Sequence, residues 1–141
     1  MVRLSLIMLF VSSFSVNSTT LTSAYKDYQN DLTFNNVKKN YKQIFSGVLV
    51  GGIDINNDFL VEQLMFKDNM KNVVKLNEVL YSDYGCLTVN GLGLDKQLMS
   101  FNIEYTRESP RALIKAVDIL LLDNDEEFSN RAVCPKEYII E

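Results

Sequence analysis

The segment "LMSFNIEYT", residues 98–106, constrains the fold more than any other part of the chain. Its apolar and polar side chains alternate one by one, which is the period of a β-strand and not of a helix. A strand with one apolar and one polar face is half-buried and belongs to an antiparallel sheet. The apolar face would carry Met99, Phe101, Ile103 and Tyr105, and the polar face would carry Ser100, Asn102, Glu104 and Thr106.

Further strands are predicted on both sides of this segment. "VVKLNEVLY", residues 73–81, reads as a strand, "SDYG" as a turn and "CLTVN", residues 86–90, as a short strand. The next residues, "GLGLDK", contain Gly91 and Gly93 but lack the rest of a phosphate-loop pattern. We therefore expect these two glycines to permit a bulge or a bend.

Residues 110–122 fit two structures. Pro110 directly after Ser109 is a helix-start signal. The apolar side chains fit one helical face, but most of them also fit the alternation of a strand. We favour a strand, because "RESPR" makes a good turn after the preceding strand. The acidic segment that follows, "DNDEEFSN", predicts a solvated loop.

The stretch "GGIDINNDFLVEQLMF", residues 51–66, raises the question of a metal site. Asp54, Asn56 and Asp58 are spaced like the first three ligands of a helix–loop–helix calcium site. Such a loop also needs glycine at its sixth position and glutamate at its twelfth, where this chain has Phe59 and Met65. We therefore expect no metal here. The β-branched segment "GVLVGGIDI", residues 47–55, suits one strand and "DFLVEQLMF", residues 58–66, suits a second, so we predict a β-hairpin with Asn56 and Asn57 in its turn.

These elements predict the fold class. Between residues 34 and 45, the spacing of the apolar side chains indicates a short helix that Gly47 would end. The strands, with turns every ten or so residues, predict a small, mainly β protein. We expect an antiparallel β-sandwich of six or seven strands with a short N-terminal helix.

The N-terminus has the pattern of a secretory signal peptide. "MVR" supplies a basic residue, residues 4–14 are mostly apolar, and small residues follow. The apolar run is too short to span a bilayer, which takes about 20 residues. We predict a signal peptide over residues 1–18, a single secreted β domain over residues 19–141, and no membrane anchor. Asn17, in the sequon "NST", is a possible N-glycosylation site that cleavage after Ser15 would retain and cleavage after Ser18 would remove.

Export changes the interpretation of the two cysteines. In an oxidising compartment, Cys86 and Cys134 are most simply one disulfide, although two free buried thiols remain the alternative. Two thiols without histidine are a poor zinc site, since structural zinc takes four ligands.

Composition excludes several kinds of function. The chain has no histidine, which removes serine–histidine and cysteine–histidine catalysis and imidazole metal sites. Its formal net charge of −4 argues against nucleic acid and against anionic lipid, because both need a basic face. We expect no cofactor and no catalytic residue.

From Gly52 to Leu121 the order of short motifs resembles that of the insect multiprotein-bridging-factor-two-like family, which includes response-to-pathogen gut proteins. The matching pieces are "NDFLVEQ", "VVKLNEVLY", "CLTVNGLGLD", "SFNIEYT" and "RALIKAVDIL". The glycine-glycine-x-glycine element of that family is missing here. The resemblance implies a small secreted β protein induced by infection or feeding, and it supplies no catalytic residues.

Three classes of function stay open. The first is a secreted, non-enzymatic factor that acts by contact with an extracellular protein. The second is a carrier whose sheets enclose a small apolar ligand, and a cavity of several hundred Å³ would favour it. The third is a hydrolase with paired carboxylates, for which Asp54 and Asp58 are the one tempting pair. We favour the first class.

Overall fold

The structure, a computed structural model, describes residues 20–107 and 110–135. Its centre is one four-stranded antiparallel sheet, in the order β1-β2-β3-β4. The predicted sandwich of six or seven strands is therefore wrong, because helices and not a second sheet cover the apolar face. The strands are β1 (Asn72–Leu80), β2 (Tyr84–Leu92), β3 (Leu98–Thr106) and β4 (Leu113–Leu121). The helices are α1 (Leu21–Asp31), α2 (Val37–Asn40), α3 (Gly47–Val50) and α4 (Asp58–Leu64).

Four short 3-10 turns complete the described elements. One of them, Tyr41–Gln43, directly follows α2, so the short helix expected between residues 34 and 45 is present in this form. The others are Phe66–Asn69, Leu94–Lys96 and Asp125–Glu127. The predicted signal peptide, the Asn17 sequon and the Ser109 helix cap lie outside the described residues.

The predicted hairpin over residues 47–66 is also wrong, since the two segments predicted as strands contain helices α3 and α4. Asn57 is not a turn residue but the N-cap of α4, where its Oδ1 accepts hydrogen bonds from the backbone N–H of Phe59 and Leu60. An asparagine in this position satisfies amides that the helix itself leaves free. Val61 and Leu64, three residues apart, then share the buried face of α4.

Helix α1 also begins at a capping residue and buries one face, although the sequence analysis did not predict this helix. The Thr20 hydroxyl caps it by accepting from the Ser23 N–H at 3.1 Å. Leu21, Tyr25 and Tyr28 form its buried face, with spacings of four and three residues. The helix lies against β1 and β2, which it helps to cover.

The other four strand predictions are confirmed, including the choice of a strand within residues 110–122. β1 and β2 pair with a register shift between Val73 and Lys75, opposite Gly91. A Cβ on Gly91 would lie 2.3 Å from the Asn72 carbonyl oxygen and 2.5 Å from the Met70 sulfur, so only glycine fits at this bulge. The bend expected from "GLGLDK" is thus present as a bulge in the facing strand.

The core lies between the helices and one face of the sheet. An aromatic chain runs through it from α1 to β3, with the Tyr28 ring 4.9 Å from the Phe66 ring and the Phe66 ring 5.2 Å from the Phe101 ring. Edge-on and tilted contacts of this kind add to the free energy of apolar burial. The sheet contributes Leu87, Val89, Met99, Phe101, Ile103, Tyr105 and Ile114 to the core.

Candidate functional site: a groove along the first strand

The second face of the sheet is covered by the C-terminal segment 122–135, which we call the strap. The sequence predicted that this face would be exposed to solvent. Instead Ser100 and Asn102 are each only 5% exposed, and Asn90 is fully buried. The alternation of β3 is confirmed, but Ser100 and Asn102 on its polar face are covered and do not face water.

Hydrogen bonds replace the lost water on this face. The Thr88 hydroxyl donates to Asn102 Oδ1 at 2.8 Å and accepts from the Val133 N–H at 2.8 Å. Ser100 Oγ donates to Asn90 Oδ1 at 2.6 Å, and Asn90 Nδ2 donates to the Ser129 carbonyl at 3.1 Å. Buried polar groups need such partners, because an unpaired group loses its hydration without compensation. The polar residues of the strands thus fix the path of the strap.

The disulfide between Cys86 and Cys134 fastens the end of the strap to β2, which confirms the predicted pairing. The Cα atoms are 5.2 Å apart, a usual separation for a disulfide. Cys86 is fully buried and lies on the same face of β2 as Thr88 and Asn90. The bond therefore holds the strap where its hydrogen bonds form.

Beside the strap, an open groove of about 760 Å³ runs along the outer edge of β1. One wall is the strand itself and the other is the strap, with Tyr81 also in the lining. Tyr81 N–H bonds the Tyr84 carbonyl, so odd-numbered residues of β1 face β2 and the backbone of Leu76 and Glu78 faces outward. The lining residues are Leu76, Asn77, Glu78, Val79, Tyr81, Asn130, Arg131, Ala132, Val133 and Cys134.

Arg131 carries the available charge of this groove. The Glu78 carboxylate is directed to the start of α1, where it accepts from the Leu21 N–H at 2.8 Å and the Thr22 hydroxyl at 3.1 Å. Within the described ranges, the exposed Arg131 guanidinium makes no ion pair. A guanidinium presents a fork of donors that matches a carboxylate, so it suits an acidic group brought into the groove.

Two exposed tyrosines lie at the β1–β2 turn. The Tyr81 and Tyr84 rings stack with centroids 4.6 Å apart, and the side chains are 45% and 39% exposed. The Arg107 guanidinium donates to the Tyr81 carbonyl and so holds this turn against the end of β3. Tyrosine and arginine are enriched at protein interfaces, and Tyr81 places one such ring in the groove. The sequence predicted this turn but not the stacking of the two tyrosine rings.

The residues first considered for calcium have separate local roles. Asp54 Oδ1 accepts from the Asn56 N–H at 2.9 Å, and Asp58, the first residue of α4, lies 3.4 Å from Lys38 Nζ. No group of three or more potential metal ligands occurs in residues 20–107 and 110–135. Asp54 and Asp58 are thus explained by a turn and a helix start, and neither the groove along β1 nor the second cleft described below has them in its lining.

A second cleft, of about 330 Å³, lies between α1 and the segment before α3. It contains Asp27, Asp31 and Arg111, and Arg111 Nη1 donates to Gln43 Oε1 at 3.0 Å. The spacing of four residues between the two aspartates could have revealed their shared helix face. Neither cleft is the enclosed apolar cavity of a lipid carrier, so the carrier alternative gains no support from them.

Burial changes the ionisation of three core tyrosines. It raises the pKa of Tyr25, Tyr28 and Tyr105 well above the ordinary value of 10.0. The Tyr28 hydroxyl donates to the Leu64 carbonyl, whereas the Tyr25 and Tyr105 hydroxyls have no partner among the described residues. These groups stay neutral in the folded protein and belong to the core, not to the groove.

Comparison with known proteins gives no relative. No family model, no curated protein and no solved structure matches the chain. Among the described residues, no helix has the length and apolar character that crossing a membrane requires. The groove and the strap are therefore interpreted from their own chemistry.

Proposed function

We propose that this protein is a secreted, non-enzymatic factor that binds an extended segment of an extracellular protein in the groove along β1. The observation that carries the proposal is the groove itself, because one of its walls is the open edge of a β-sheet. An extended peptide can add a strand to such an edge, and the main-chain hydrogen bonds supply much of the affinity. The disulfide and the basic, then apolar, N-terminus support secretion.

The groove also indicates which segment would bind. Leu76 and Glu78 offer outward backbone groups over about two residue pairs of a ladder. The Tyr81 ring suits an apolar side chain, and Arg131 suits an acidic one. We therefore expect a short extended segment that contains an aspartate or a glutamate. A role in an infection or feeding response rests on the sequence resemblance alone.

Selection from a displayed library of random linear peptides tests this function, with the secreted, disulfide-bonded protein as bait. Selected peptides should share an acidic residue and should be extended when bound. Fluorescence anisotropy should show at least about tenfold weaker binding to Arg131→Glu, which is about 1.4 kcal/mol. Lys39→Glu, an equal charge change on α2, is the matched control and should bind like the parent. Equal binding to Arg131→Glu would contradict the proposed site, and a library without binders would contradict the function.

A further inference from the structure

The opposite edge of the sheet, β4, is open over its second half. Its first half is covered, because Ile114 N–H donates to the Ile44 carbonyl and the Ile114 carbonyl accepts from the Ser46 N–H, both at 2.8 Å. Beyond Ile114, nothing in residues 20–107 and 110–135 pairs with the outer edge of β4. Leu122 N–H bonds the Leu98 carbonyl, so even-numbered positions face β3 and the backbone of Val117, Ile119 and Leu121 faces outward.

Exposed aliphatic side chains of this open half lie on both faces of the sheet. Ile119 and Leu121 are 45% and 68% exposed on the core face, opposite Phe101 and Met99. Leu120 is 44% exposed on the strap face, opposite Ser100. A partner that packed on one face could cover only one of these two sets. A strand added alongside β4 contacts both sets at once, because its own side chains alternate between the faces.

The usual protection of an edge strand is weak here. Natural edges carry lysines, prolines or bulges that prevent pairing with another chain. From Ala116 to Leu122 the sequence has no lysine and no proline, and Asp118 is its one charged residue. The bulge of β4 lies earlier, at the Glu104/Tyr105 register shift, and leaves residues 116–121 regular. An apolar, regular edge of this kind is a template for another strand.

We propose that two copies of the chain pair through β4, antiparallel about a two-fold axis at Ile119, to form one eight-stranded sheet. Antiparallel edges satisfy two-fold symmetry without any further partner, because each copy presents the same surface. In this register, Val117 of each copy lies opposite Leu121 of the other, and Asp118 lies opposite Leu120. A shift of the axis to Asp118 would instead place two carboxylates directly opposite each other, which is destabilising.

Charge at the ends of the interface supports the same register. In this register, Asp123, in the bend two residues after β4, would be directed toward Lys115 of the other copy on each side of the axis. Lys115 Nζ already contacts Glu104 Oε1 at 3.0 Å, and its side chain is 40% exposed. The added carboxylate would therefore extend an existing ion pair into a small network at both ends. This complementarity favours a second copy over an unrelated partner.

Sedimentation equilibrium of the purified, disulfide-bonded chain tests the association. The parent should show a concentration-dependent dimer, and Ile119→Lys should be a monomer at the same concentrations. Phe59→Lys, at a position on α4 that is 68% exposed, is the matched control and should remain a dimer. A monomeric parent, or an Ile119→Lys variant that dimerises as well as the parent, would overturn the proposal.

Cysteine cross-linking tests the register of the two β4 strands without placing a charge on the β4 edge. At the proposed axis the two residues 119 form a hydrogen-bonded pair with Cα atoms about 5.5 Å apart, within disulfide range. Ile119→Cys should therefore form a covalent dimer on mild oxidation, visible on a non-reducing gel. Val117→Cys should form one only when mixed with Leu121→Cys. Cross-linking of Phe59→Cys at an equal rate, or failure of Ile119→Cys, would refute this register.

Discussion

The two faces of the sheet bury side chains by different means. The face toward the helices is filled by apolar and aromatic groups, whose burial needs no directional contact. The face toward the strap buries Thr88, Asn90, Ser100 and Asn102, which are held by hydrogen bonds with set geometry. The first face accepts any side chains that fill its volume, whereas the second fixes one path for one segment. This difference explains why the groove is built on the strap side.

The largest loss of stability is expected from a substitution on the helix-facing side of the sheet. Phe101→Ala should lower the free energy of unfolding by about 3–5 kcal/mol, because Phe101 is fully buried against Phe66 and the cavity cannot close. Urea unfolding measures it. Asn102→Ala on the neighbouring position should cost about 1–3 kcal/mol, through loss of the Thr88 partner. Equal costs at the two positions would remove the contrast between the faces.

Loss of the disulfide should destabilise the strap-facing side of the sheet. The bond joins residues 48 positions apart, so the chain-entropy model gives about 4 kcal/mol of stabilisation. Cys86→Ser with Cys134→Ser should lower stability by up to this amount. Hydrogen exchange should show loss of protection first at the Val133 amide, while amides of β2 and β3 stay protected. Simultaneous loss in all strands would mean that the strap is part of the cooperative core.

Alkaline pH should weaken the helix-facing side. Because burial raises the pKa of Tyr25, Tyr28 and Tyr105 in the folded state, only the unfolded chain releases these protons just above pH 10. Their contribution is complete below pH 10 and falls as pH rises, by about 1.4 kcal/mol per tyrosine per pH unit. Unfolding at pH 9 and pH 11 measures this loss. Tyr105→Phe should reduce it by about one third, and an unchanged loss would contradict the assignment.

The smallest change in stability is expected from a matched pair of threonine-to-valine substitutions on the strap-facing side of the sheet. Thr88→Val removes a hydroxyl that bonds Asn102 and Val133, so it should cost about 1–3 kcal/mol. Thr106→Val removes a buried hydroxyl that has no partner in the described part of the chain, so stability should be unchanged or slightly higher. Thermal unfolding of both variants distinguishes them. A Thr106→Val variant as unstable as Thr88→Val would show that burial alone, and not hydrogen bonding, governs this face.

Local patterns predicted the strands well and the rest of the fold poorly. The alternation in residues 98–106 and the aliphatic runs around it are strong signals, and all four strands follow them. Val48 and Val50 suggested a strand, yet a Ser46 cap and the space above β4 make this segment helix α3. Asn57 is compatible with both a turn and a helix cap, and only the packing of Val61 and Leu64 decides for the cap.

The cysteine pair is the one feature of the groove region that the sequence predicted. A disulfide was the simplest expectation for two cysteines in an exported chain, and it places residue 134 beside β2. Nothing in the acidic segment 123–130 indicated that it would cover a sheet, because its own side chains are mostly exposed. Arg131 and Tyr81 are far apart in the chain and share the groove only through the strap.

The sequence by itself determined the four strands of the sheet and the two faces of β3, because these depend on a period of two residues, and it made the disulfide the simplest expectation for an exported chain. Only the tertiary structure decided what lies on each face. An apolar face requires an apolar cover but does not specify sheet or helix, so helices could replace the expected second sheet. A polar face can meet water or a hydrogen-bonded segment at similar free energy. The choice between them rests on contacts between residues some 30 to 60 positions apart, such as Asn77 with Ser129 and Lys75 with Asn130.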